Sequence, residues 1–134
     1  MSAKLILTMR YKDAPSAIKW LCGAFGFKEQ LIVPGAPGKI THAQLVYRNS
    51  MIMVGSLKEK EYSDLVSVPA NVNGLNTQSA YLIAENIEGH YEHAIAKGAN
   101  IILPLEDQDY GGKLYTCTDP EGYLWSFGSY NPWE

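Results

Sequence analysis

The chain is written twice. A shift of about 73 residues brings its two halves into register in kind, though not in identity. Asp13-Ala14 ahead of one amphipathic stretch matches Asn86-Ile87 ahead of another. Asn49 at one turn matches Gly122 at a second, and Val54-Gly55-Ser56 matches Phe127-Gly128-Ser129 at the end of each half. A repeat of this length is too long for a solenoid unit, but it suits one βα unit followed by a β-meander. The chain is thereby held to an α+β fold of two βαβββ modules in one domain. Two such halves facing each other would make a cleft.

The local signals fill in that plan. Residues 4–10 read as a strand, and Asp13 as the N-cap of a helix with Pro15 in its first turn, where a missing N–H costs nothing. Ala14, Ala17, Ile18, Leu21, Cys22 and Phe25 fall on one helical face, and Gly26 stands where a left-handed cap is wanted. Residues 27–34 return as a strand, 35–38 are a loop, and 40–47 with 51–56 form a hairpin around Arg48-Asn49, with Asn49 able to take positive φ. The second half repeats this: strand 79–84, N-cap Asn86, helix face Ile87, Tyr91, Ala94 and Ile95, closing Gly98, and strand 99–105. A loop at 106–112 with Gly111-Gly112 as hinge leads to a last hairpin, 114–118 and 123–128, turned by Asp119-Pro120-Glu121-Gly122. The modules span 1–56 and 78–134. The polar connection 57–77 carries a charge cluster (Lys58, Glu59, Lys60, Glu61), turn residues and room for a short helix.

Composition removes several function classes. The formal net charge is −3 with no basic run, which gives nucleic acid nothing to hold. No apolar stretch approaches the roughly 18 residues of a membrane span. The N-terminus runs straight into a strand pattern, so no signal peptide is expected. Cys22 and Cys117 have neither metal nor redox spacing and are expected as reduced thiols in a cytoplasmic protein.

Asp13 with Ala24-Phe25-Gly26-Phe27, then Lys97-Gly98-Ala99, then Asp119-Pro120-Glu121-Gly122-Tyr123-Leu124-Trp125-Ser126-Phe127 resemble the vicinal oxygen chelate superfamily. That superfamily includes glyoxalase I, extradiol dioxygenases and bleomycin-resistance proteins. The resemblance covers nearly the whole chain. It implies two modules whose curved mixed sheet encloses a cleft, helices on the outer face, and a homodimer. The superfamily's metal-dependent members hold an ion with His, Gln or Glu side chains on the first and last strand of each module. Carried over by position, those slots are Ile6, Met53, Ser79 and Ser126. None is an ordinary ligand for a divalent ion, so neither metal nor cofactor is expected, and the resemblance narrows to a metal-free, bleomycin-resistance-like branch.

Other chemistry is sparse. His90 and His93, near Glu88 and Glu92, lie on the second helix and are expected to be solvated or at an interface. Cys117 reads as a packed strand thiol without a basic partner. His42 differs: it sits two residues before Gln44, on the same strand face, and imidazole changes charge near neutral pH, which makes it the acid–base candidate. Strand alternation puts Ile6, Thr8, Met51, Met53, Ser79, Tyr81, Leu124 and Ser126 on the concave face, with Tyr123, Trp125 and Phe127 facing the helices as core. Tyr110, Tyr115 and Trp133 are expected at the rim. A ligand site of Ile6, Thr8, His42, Gln44, Met51, Met53, Ser79, Tyr81, Tyr110, Tyr115 and Ser126 suits a small organic molecule, planar or amphipathic. The expected function is metal-independent binding of such a molecule. The alternative is a glyoxalase- or dioxygenase-like enzyme, with unrecognised metal ligands or with His42 as acid and base.

Overall fold

The computed structural model describes residues 2–58 and 65–134, so Glu59, Lys60 and Glu61 of the linker's charge cluster lie outside the described residues. The elements are β1 (Leu7–Tyr11), α1 (Ala14–Phe25), β2 (Lys28–Pro34), β3 (Ile40–Tyr47) and β4 (Ser50–Ser56), then a 3-10 turn (Pro69–Val72). They continue with β5 (Ala80–Ile83), α2 (Ile87–Ala96), β6 (Asn100–Asp107), β7 (Lys113–Thr118) and β8 (Leu124–Gly128). Each half builds its own four-stranded mixed sheet, ordered β1-β4-β3-β2 and β5-β8-β7-β6. In both, the first strand runs parallel to the last while the remaining pairs are antiparallel.

The helix ends follow the sequence signals. The Asp13 carboxylate accepts from the Ser16 N–H at 3.2 Å and the Asn86 amide oxygen from the Gly89 N–H at 3.3 Å. Gly26, Gly98 and Gly122 all take positive φ. Three local details differ. The β1 and β5 ladders begin at Leu7↔Ile52 and Ala80↔Trp125, which leaves Ile6 and Ser79 just outside their strands. Arg48, not Asn49, is left-handed (φ 56), at the first central position of the two-residue turn. The β6–β7 hairpin extends to Asp107↔Lys113, so the expected loop is shorter and Glu106 and Asp107 are strand residues.

One apolar core joins the modules. Toward the helices, the first sheet turns Ala43, Leu45, Ile52 and Val54, and the second turns Tyr115, Cys117, Trp125 and Phe127. Phe25, at the end of α1, bridges them, with its ring 5.3 Å from Trp125 and 4.6 Å from Phe127. Cys117 is fully buried, and desolvation pushes its thiol up to about 12. Cys22 is likewise a free thiol.

Polar groups lock the two helices together. His90 Nε2–H donates to the Phe25 carbonyl at 2.9 Å, leaving Nδ1 to accept from the Tyr115 hydroxyl at 2.7 Å. His93 Nε2–H donates to the Gly23 carbonyl, and Trp20 Nε1–H returns a bond to the Lys97 carbonyl. Each helix thus caps carbonyls near the C-terminal end of the other, where helical partners run out. The helical histidines accordingly serve an interface within the chain. Desolvation holds His90 below its ordinary pKa, more than its bond to Phe25 raises it.

Asp119 ties the first module to the second. Its carboxylate accepts from Tyr11 Oη–H at 2.6 Å, Trp125 Nε1–H at 3.1 Å, and the backbone N–H groups of Glu121 and Tyr123. Burial raises its pKa and these four donors pull it back, with burial the stronger. Beside it, Tyr123 donates its hydroxyl to the Arg10 carbonyl, and the Glu121 carboxylate accepts from the Lys12 and Asp13 N–H groups.

Candidate functional site

The sheet face turned away from the helices is where unspent chemistry lies. Register aligns one row of side chains across each sheet. In the first module the row is Thr8, Met53, Gln44 and Leu31; in the second it is Tyr81, Ser126, Thr116 and Leu103. Both faces stay open to solvent. Leu31 and Val33 are 43% and 38% exposed on the first, and Leu103 is 54% exposed on the second. Within one chain the two modules therefore leave open faces rather than a closed cleft.

The first face carries a directed polar chain. His42 Nε2–H donates to Gln44 Oε1 at 2.9 Å, and Gln44 Nε2–H donates to Gln30 Oε1 at 2.6 Å. Gln30 joins because β2 slips register between Glu29 and Leu31, and the extra residue of such an irregularity is re-aimed. Half-buried Met51 and Met53 lie beside this chain on β4. Next along the face is a bare spot: a Cβ at Gly55 would collide with the Arg10 guanidinium, which lies across it. Gly128 repeats the device, covered by the Tyr81 hydroxyl, which donates to the Tyr130 carbonyl at 2.7 Å.

The second face is hydroxylic. Thr116 and Ser126 share a hydrogen bond of 2.8 Å. Tyr110 stands edge-on to Tyr130 with ring centroids 4.8 Å apart, and is 55% exposed. Trp133 is 92% exposed. Tyr115 does not reach the rim. It points to the helices, is fully buried and bonds His90, because odd positions of β7 face the core.

The expected residues thus divide. Thr8, His42, Gln44, Met51 and Met53 share the first face, and Tyr81 and Ser126 the second, with Tyr110 near its edge. Ile6 and Ser79 precede their strands. A groove of about 490 Å³ runs between the modules, lined by Thr8, Arg10, Ser79 and Leu124 together with Leu65, Val72, Leu75 and Asn76 from the connection. Asn76 fixes that segment, donating to the Gly122 carbonyl and accepting from the Leu124 N–H. Sequence reasoning missed Gln30, Arg10 and Thr116. The Gly55 and Gly128 equivalence held the signal for Arg10, since a strand glycine marks a close approach.

The four positions that the resemblance implies for an ion do not fit one here. Ile6 and Met53 offer no nitrogen or anionic oxygen, and the Ser126 hydroxyl is engaged with Thr116. Among the described residues, no three His, Cys, Asp or Glu side chains converge on a metal-sized site.

Comparison with known proteins agrees with this architecture. TioX from Micromonospora sp. ML1 superposes with a TM-score of 0.74 at 30% identity, over 95% of this chain and 98% of that one. TnmS3 from Streptomyces sp. CB03234, described as an antibiotic binding protein, shares the fold at 12% identity (TM-score 0.68; 96% and 95% covered). An uncharacterised protein of Mycobacterium bovis is 29% identical over 116 residues, 87% of this chain and 76% of its own length. The family model for the Glyoxalase/Bleomycin resistance protein/Dioxygenase superfamily matches residues 5–127, which takes in both modules, and the chain belongs to that superfamily.

Proposed function

We propose that this protein binds a small organic molecule on its open sheet faces without the help of a metal, and that two copies pair to close those faces into clefts. The observation that carries the reading is the first face, where soft Met51 and Met53 adjoin a hydrogen-bonded chain ending in His42. Thioethers adapt to flat apolar surfaces, and one ordered polar group supplies orientation. Pairing is supported by Leu31, Val33 and Leu103, which are 38% to 54% exposed. An apolar sheet face gains by being covered. The likeness to an antibiotic binding protein is of fold alone, and is consistent with this use of it.

A screen of planar aromatic compounds by thermal shift tests the binding, with Met53→Glu as control. Stabilisation of the native protein and none of the variant is expected; no stabilisation by any compound contradicts the reading. Sedimentation velocity tests the pairing, with a dimer expected and a monomer at micromolar concentration contradicting it.

A second reading, acid–base catalysis, draws on one observation: with Nε2–H committed to Gln44, His42 Nδ1 is left as a base on the open face. Elemental mass spectrometry of untagged protein separates both from a metal enzyme. Near-stoichiometric nickel, zinc, manganese or iron would overturn both metal-free readings.

A further inference from the structure

The chain from His42 through Gln44 to Gln30 has a direction, and direction selects ligands. A primary amide that accepts at its oxygen and donates at its nitrogen passes polarity on. Gln30 Oε1 accepts from Gln44 Nε2–H, which turns Gln44 Oε1 toward His42 and requires the imidazole proton on Nε2. Nδ1 is then an acceptor, with no partner among the described residues.

We propose that His42 Nδ1 receives a hydrogen bond from the ligand, so that the site selects a planar aromatic molecule bearing a hydroxyl or N–H donor, and that Gln44 and Gln30 are positioning residues that fix this preference. The inference rests on the reading of the first face as a ligand site and adds the ligand's chemical class. Met51 and Met53 supply the surface for the ring. A molecule of the same shape without the donor leaves Nδ1 buried and unpaired on binding, which is the costly case.

Isothermal titration of the 134-residue chain with 2-naphthol and with 2-methoxynaphthalene, in which a methyl group replaces the hydroxyl proton, tests it. Binding of 2-naphthol about tenfold tighter is expected. His42→Phe should erase the difference while leaving 2-methoxynaphthalene binding in place. Gln44→Leu frees the ring to change tautomer and should shrink the difference. Gln44→Glu puts a carboxylate on Nε2–H and favours the imidazolium, whose Nδ1–H donates instead of accepting, so it should abolish the preference for 2-naphthol, which a merely structural role for Gln44 would not predict. Equal binding of the two probes, or tighter binding of the ether, overturns the inference and leaves the ligand site standing. Binding of neither overturns the ligand-site reading and the inference with it.

Discussion

The two modules share a topology and a register and divide the labour between them. The second is aromatic and tied down: Trp125 lies parallel to Phe127 at 6°, Asp119 collects four donors, and Tyr115 is held by His90. The first turns aliphatic residues inward from β3 and β4 and keeps its one directed polar chain on the open face. A duplicated backbone thus lets one copy anchor the core while the other presents chemistry. Substitutions in the second module should cost stability, and those on the first module's open face should cost binding.

The largest effect should come from Trp125. Trp125→Ala empties the centre of the shared core and should cost about 4 kcal/mol, whereas Ile52→Ala, at the repeat-equivalent position, should cost about 2 kcal/mol. Urea denaturation measures both, and equal losses would break the comparison. Asp119→Ala should cost about 3 kcal/mol, because it strands the Tyr11 hydroxyl and the Trp125 indole inside the protein.

An intermediate effect depends on pH. His90 has a folded pKa below its ordinary 6.5, so its contribution is full above that value and is lost as pH falls through the folded one. Asp119 is shifted the other way. Its contribution is full below 3.8 and is lost as pH rises through its raised folded value, so acidification there favours the fold. Unfolding free energy should therefore drop from pH 7 toward pH 5 because of His90. His90→Gln, which can still donate to Phe25 and accept from Tyr115, should flatten the drop. An unchanged slope in the variant would assign the pH dependence elsewhere.

The smallest effect concerns the exposed ion pair of Arg48 with Glu85, at the edge between the modules. Arg48→Ala should cost about half a kcal/mol or less, since solvent screens exposed pairs.

Much of this division is legible in the sequence. The repeat gives the modules, caps at Asp13 and Asn86 give the helices, and strand alternation sends Trp125 and Phe127 inward and Met53 and Ser126 outward. Tyr115 is not decided by the sequence, because its aromatic ring and hydroxyl suit a rim as well as a core. Only its β7 register and the hydroxyl's partner on α2 decide between them, and that partner is 25 residues away. Gln30 was invisible for a related reason: simple alternation cannot foresee the irregularity in β2 that brings it beside Gln44. The Asp-Pro-Glu-Gly segment is legible as a turn, but its deeper role depends on Tyr11, 108 residues earlier.

The most direct test of the central claim follows the methionine methyl groups. The chain has four methionines, of which Met51 and Met53 lie on the open face and Met9 faces the core. With ¹³C-methyl methionine, a titration with 2-naphthol should shift the Met51 and Met53 signals and leave Met9 in place. Unmoved Met51 and Met53 signals, or a change confined to Met9, would contradict a ligand site on the first module's open face.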